Sequence, residues 1–179
     1  MGALIQAAKK EDYPAEIIGV FSNRRAAPGL DVARAEGIET ATLAQSSFAS
    51  REDFDTTLTG ILESWSTDIV CMAGFMRVLT PSFVERWQGR AINIHPSLLP
   101  AFKGLDTHAR ALAAGAAEHG CSVHFVTPGL DEGPVIAQAR VPVRPGDTAE
   151  TLAARVLVEE HRLYPEALRM VATGKASLP

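Results

Sequence analysis

The run DIVCMAGFMRVLTPSFVERWQGRAINIHPSLLP, residues 68–100, reads as strand, helix and strand in succession. Residues 68–73 and 91–94 are short, apolar and rich in β-branched side chains, with little polar alternation, which is the pattern of strands covered on both faces. Between them Thr80 followed by Pro81 gives the cap-then-proline order of a helix start, and Gly89 marks its end. A strand, a helix and a second strand joined by a right-handed crossover imply a parallel pair.

The same alternation extends in both directions. Residues 17–21 and 122–126 repeat the strand pattern, and a further strand follows the glycine-flanked turn after Val126. Phe54, Leu58, Ile61, Leu62 and Trp65 recur at helical spacing after Ser50, an N-cap with Asp53 three residues on, which puts Arg51 in the first turn. A helix is expected over 107–114, stopped by Gly115. A long C-terminal helix should start near Asp147 or Thr148, with Glu150 and Thr151 in its first turn and a bend near Pro165. The expected fold is therefore α/β, a doubly wound, mainly parallel sheet with helices on both faces, built as one domain over 1–179. Doubly wound sheets ordinarily begin with a strand and a Gly-rich turn, whereas this chain opens on the helix-forming residues 2–8. A first strand and its Gly-rich loop are accordingly expected to be missing from the N-terminus.

Composition narrows the function. With 179 residues, 46% of them hydrophobic, and a mean hydropathy of +0.06, the chain can bury one substantial core. A net charge of -4 and the absence of any Lys/Arg run argue against a nucleic-acid binder, while a phosphate-bearing small substrate stays open. Cys71 and Cys121 form no disulfide framework and no Cys-x-x-Cys pair, so a reducing cytoplasm is the expected location. Neither a bilayer-spanning run nor a signal-peptide pattern is present, and no membrane partner is expected.

Chemistry concentrates in two stretches. In Ala91-Ile92-Asn93-Ile94-His95-Pro96, the period of a strand puts Asn93 and His95 on one face near its carboxyl end, where ligands of open α/β sheets bind. An amide beside an imidazole can hold a developing oxyanion, and the imidazole can move a proton near neutral pH. Asn-x-His by itself is more often structural, but the Pro-Ser-Leu-Leu-Pro loop that follows favours function. Asp131, in Pro128-Gly129-Leu130-Asp131-Glu132-Gly133, reads either as a turn residue bonding its own backbone or as a carboxylate carried to His95. Glu160 shares the apolar stripe of the last helix with Val156 and Leu163, unlike Glu159, so it turns inward and needs partners. His108 and His124 are expected near the site. Asp53, Asp55 and Glu63 read as a solvated helix face, and no histidine pair has metal-ligand spacing.

The motifs I-N-I-H-P-S-L-L-P, H-G-C-S-V-H-F-V and L-D-E-G-P-V-I, with G-V-F-S-N, A-G-F-M-R-V-L and E-E-H-R-L-Y-P, resemble folate-dependent formyltransferases of the glycinamide ribonucleotide type over essentially the whole chain. The resemblance implies formyl transfer from 10-formyltetrahydrofolate to the amine of glycinamide ribonucleotide, in purine synthesis, without a metal. It implies Asn93, His95 and Asp131 as catalytic residues and Arg51, Met76, Arg77, Val78, Leu79 and Asn93 as the folate-binding set. Glu160 and Pro96 fall on the nucleotide side, Glu160 toward the ribose hydroxyls. It leaves monomer and homodimer both open. The nearest competing readings are a formyltetrahydrofolate hydrolase, the catalytic domain of a methionyl-tRNA formyltransferase, and a non-catalytic folate-binding remnant.

Overall fold

The computed structural model describes residues 1–75 and 77–178. A first helix, α1 (Gly2–Ala8), leads to strand β1 (Gly19–Ser22), helix α2 (Pro28–Ala35) and strand β2 (Glu39–Thr42). Helix α3 (Arg51–Ser64), strand β3 (Val70–Ala73), helix α4 (Pro81–Arg86) and strand β4 (Ala91–His95) follow, and the 68–100 run folds as strand, helix, strand. Helix α5 (Thr107–Ala113), strands β5 (Glu118–Phe125) and β6 (Val135–Pro142) and helix α6 (Ala149–Ala172) complete the chain. The sequence pattern does not predict α2 and β2, and the strands with expected bounds end within four residues of them. Helix α6 runs through Pro165 as one element, with the Tyr13 hydroxyl donating to the Pro165 carbonyl at 2.7 Å.

Local chemistry accounts for the element ends. The Ser50 hydroxyl accepts the Asp53 amide at 3.0 Å to start α3, and Thr80 does the same for the Phe83 amide at the head of α4, where Pro81 needs no donor. Thr148 and Thr151 close a reciprocal capping box on α6.

β3 and β4 pair parallel, β4 and β5 antiparallel, and β5 and β6 antiparallel, giving a four-stranded sheet with a parallel pair at one edge and an antiparallel remainder. β1 and β2 pair parallel as a separate two-stranded sheet. The edges of β1 and β3 face each other across a cavity of about 470 Å3 lined by both strands and by Trp65. Trp65 lies so close to β1 that a Cβ on Gly19 would meet its ring at 2.4 Å.

Alternation along β4 divides the core. Ile92 and Ile94 join the apolar layer under α6, with Val123, Phe125, Val156 and Leu168. Ala91 joins the layer under α3 and α4, with Phe54, Leu58, Phe83 and Trp87. Each fully buried aliphatic or aromatic side chain in these layers contributes about 1.5–3 kcal/mol. The division is the first step toward a site, because it leaves Asn93 and His95 on the face of Ala91, beyond the edge of that second layer.

Candidate functional site

Strand register assembles the polar centre. In the antiparallel β4–β5 ladder Asn93 stands opposite His124 and His95 opposite Ser122, and directly opposed residues share a face. The Asn93 Nδ2 accordingly lies 3.2 Å from the His124 Nε2. The other His124 nitrogen, Nδ1, is 2.9 Å from the Phe125 carbonyl and must donate to it, which leaves Nε2 as an acceptor for the Asn93 amide. Burial pushes the His124 pKa down, against the opposing pull of the Phe125 carbonyl and Asp131, and this agrees with the neutral ring that the hydrogen bonds require. Asn93 is thereby oriented, with its second amide hydrogen and its carbonyl left for the cleft.

His95 is held between two oxygens. Its Nδ1 lies 3.3 Å from the Asp131 Oδ2 and its Nε2 3.0 Å from the Phe102 carbonyl. Each ring nitrogen thus faces one oxygen, which fixes the orientation of the imidazole in the cleft. Asp131 also accepts the Gly104 amide at 2.9 Å and faces the His124 Nε2 at 3.6 Å. Its backbone adopts φ +52°, a left-handed conformation that costs a non-glycine residue about 1–2 kcal/mol. Gly133 makes that turn possible: a Cβ there would lie 1.7 Å from the Phe125 carbonyl, so only glycine lets the turn close down on β5 and lower Asp131 over the two histidines.

Ser122, opposite His95, ties the loop that follows β4. Its hydroxyl donates to the Ser97 carbonyl at 2.6 Å and accepts the Leu99 amide at 3.0 Å. A second histidine pair lies farther back, with His119 Nε2 3.1 Å from His108 Nδ1. Burial, then the neighbouring His108, lowers the His119 pKa to about 4, and burial also lowers that of His108.

Asn93, His95, Pro96, His108, Asp131 and Glu160 all line one cleft of about 880 Å3. Glu160 is partly buried there, and burial raises its carboxyl pKa against the opposing charge of the Met1 amino group. Across the cleft stand Gly74, Phe75, Arg77 and Val78, with Leu105 and Leu130, and the exposed Val78, Leu105 and Leu130 give the rim an apolar surface. A flat heterocycle fits between such a rim and a polar floor. Among the described residues no group of His, Cys, Asp and Glu side chains is placed to hold a metal ion.

The expected folate-binding set is only partly brought to this cleft. Val78 and Arg77 line it. The Arg77 side chain, however, is buried with its guanidinium carbon 4.1 Å from the Phe54 ring centroid, so it is the backbone of this residue that remains for a ligand. Leu79 packs inward against the α3–α4 layer, because the chain there is already turning into α4. Arg51 is exposed at the start of α3 outside the lining residues. Met76 lies outside the described residues. Asp55, read from its sequence neighbours as solvated, is instead buried at 1% exposure, bonded to the residues that precede α4. His124 orients Asn93, a role visible only once the register is known.

The formyl transferase family model matches residues 1–168. The chain belongs to the formyl transferase family. This formyltransferase is 48% identical to the phosphoribosylglycinamide formyltransferase of Escherichia coli over 176 residues, 98% of the chain and 83% of that protein. It is 46% identical to the human trifunctional purine biosynthetic protein adenosine-3, also over 176 residues, but spans only 17% of that longer protein. Among solved structures, the phosphoribosylglycinamide formyltransferase of Brucella melitensis matches with a TM-score of 0.92 and 52% identity over 99% of the chain and 91% of its own. Glycinamide ribonucleotide transformylase 1 of Symbiobacterium toebii gives a TM-score of 0.94 at 44% identity, covering 96% and 81%.

Proposed function

We propose that this formyltransferase transfers the formyl group of 10-formyltetrahydrofolate to the amine of glycinamide ribonucleotide, as one domain over 1–179 acting on small molecules in the cytoplasm. The observation that carries the reading is the single cleft in which a backed amide, an imidazole–carboxylate pair and an inward-turned glutamate meet beneath an apolar rim. The substrate chemistry needs one N–C bond made, one N–C bond broken and one proton moved from the attacking amine to the departing folate nitrogen. Asn93 supplies a fixed N–H for the oxygen that gains charge, and it needs no reorganisation because His124 already holds it. His95 and Asp131 hold and pass the proton, with the carboxylate stabilising the charged ring. Glu160 accepts hydrogen bonds from the ribose hydroxyls, and Val78, Leu105 and Leu130 cover the heterocycle.

The names of the high-coverage relatives favour this reading over the hydrolase and the tRNA formyltransferase. A net charge of -4 agrees with small-molecule substrates rather than nucleic acid. The test is an optical assay of tetrahydrofolate release with and without glycinamide ribonucleotide. Release that depends on the nucleotide supports transfer, and release without it points to hydrolysis.

A further inference from the structure

Asp55 is a buried carboxylate that takes no part in the proposed transfer chemistry. Asp55 points from the second turn of α3 into the protein, and its two oxygens go to two different residues of the segment leading from β3 to α4. Its Oδ2 accepts the Thr80 amide at 2.7 Å, and its Oδ1 lies 3.5 Å from the Arg77 Nε. Both side chains of the ion pair are buried, at 1% and 5% exposure. The Arg77 Nη2 reaches back to the Arg51 carbonyl at 3.5 Å, and the guanidinium stacks on Phe54. Arg77 and Val78 are also wall residues of the cleft. A single buried charge therefore staples the start of α4 and the middle of the cleft wall to the first turns of α3.

We infer that Asp55 is a positioning residue for the folate wall of the cleft, acting through Arg77 and the Thr80 amide, and that Arg77 serves there as an anchor rather than as a side chain that contacts folate. The inference rests on the folate reading of this cleft. Its physical basis is that a loop without ladder hydrogen bonds keeps a fixed shape only if other groups hold it, and a charged hydrogen bond in a dry setting is among the strongest available. A substrate that must lie flat against Val78 needs that wall already in place, since ordering it on binding would weaken affinity.

The test compares Asp55→Leu, which leaves the Thr80 amide without an acceptor at nearly the same volume, with the double variant Asp55→Leu/Arg77→Met, which removes both buried charges and so spares the fold an unpaired one. Both should bind tetrahydrofolate about tenfold more weakly, the equivalent of one lost charge-assisted hydrogen bond. KM for 10-formyltetrahydrofolate should rise alongside, with KM for glycinamide ribonucleotide unchanged, and the Thr80 amide should exchange its hydrogen faster. A fall in kcat with both KM values unchanged would mark a merely structural pair and overturn the inference, as would normal folate binding in the double variant. A wild-type chain that neither binds tetrahydrofolate nor transfers formyl would sink the functional reading instead, and Thr80 exchange as slow in the variants as in the wild type would by itself overturn the staple.

Discussion

The two walls of the cleft are built by different means. Asn93, His95 and His124 stand on adjacent strands, where the β4–β5 register alone decides that amide meets imidazole. Among the described residues the wall from Gly74 to Thr80 has no such ladder: Arg77 and Thr80 are tied to a buried carboxylate on α3, and Phe75 and Leu79 pack against the aromatic core. A strand-borne site inherits its precision from the sheet, whereas a loop-borne one needs a dedicated fastener. Damage should therefore differ in kind: substitutions in the first wall remove chemistry, and those in the second loosen binding.

The sharpest way to break this contrast is Asp131→Asn or His95→Ala. Each should cut kcat by about 10²–10⁴-fold with little change in the folate KM, since each removes a proton-handling group from a site whose backbone stays in place. Full activity in either variant would reject its role. Asn93→Ala should follow, lowering kcat by about 10²-fold while His124 loses its donor. If KM for folate were to rise instead with kcat intact, the strand-borne wall would be doing the work assigned here to the loop.

Acid stability probes the strand side without substrate. The folded pKa of His119 is lowered to about 4 from 6.5, so between those values the unfolded chain binds the proton that the folded one refuses. Its contribution is complete above pH 6.5, is lost as pH falls toward 4, and changes no further below that. The slope over this window is at most about 1.4 kcal/mol per pH unit for this group. Urea melts of His119→Gln across pH 4–7 should show a flatter acid limb than the wild type, and an unchanged limb would remove His119 from the account. The smallest effect is expected at Arg51. Its side chain is exposed and outside the cleft lining, so Arg51→Ala should raise the folate KM by no more than about threefold, the scale of a surface charge. A tenfold rise would show that the side chain swings in to meet the ligand.

The strand-borne wall could be read in advance because its rule is local. Period-two alternation put Asn93 and His95 together, and helical spacing turned Glu160 inward beside Val156 and Leu163. Asp131 was recognisable as a candidate, but its approach to His95 depends on a left-handed backbone and on a glycine two residues on, which no spacing rule reports. Asp55 was misread for the complementary reason. Its sequence neighbours Asp53 and Thr56 are those of a wet surface, and its partners lie 22 and 25 residues downstream in a loop that carries no period. β2 gives a weak apolar signal because it is short and carries the exposed Glu39 and two threonines.

Tyr164 has a wider consequence. Its hydroxyl donates to the Met72 carbonyl at 2.7 Å and lies 3.1 Å from that of Ile92, touching β3 and β4 at once. Glu160 sits one turn earlier on the same helix, about 6 Å along its axis. The phenol thus works as the datum of a caliper: it sets how far the glutamate jaw stands from the Asn93 jaw, so the span available to a ligand is gauged by one helical turn and not by any loop.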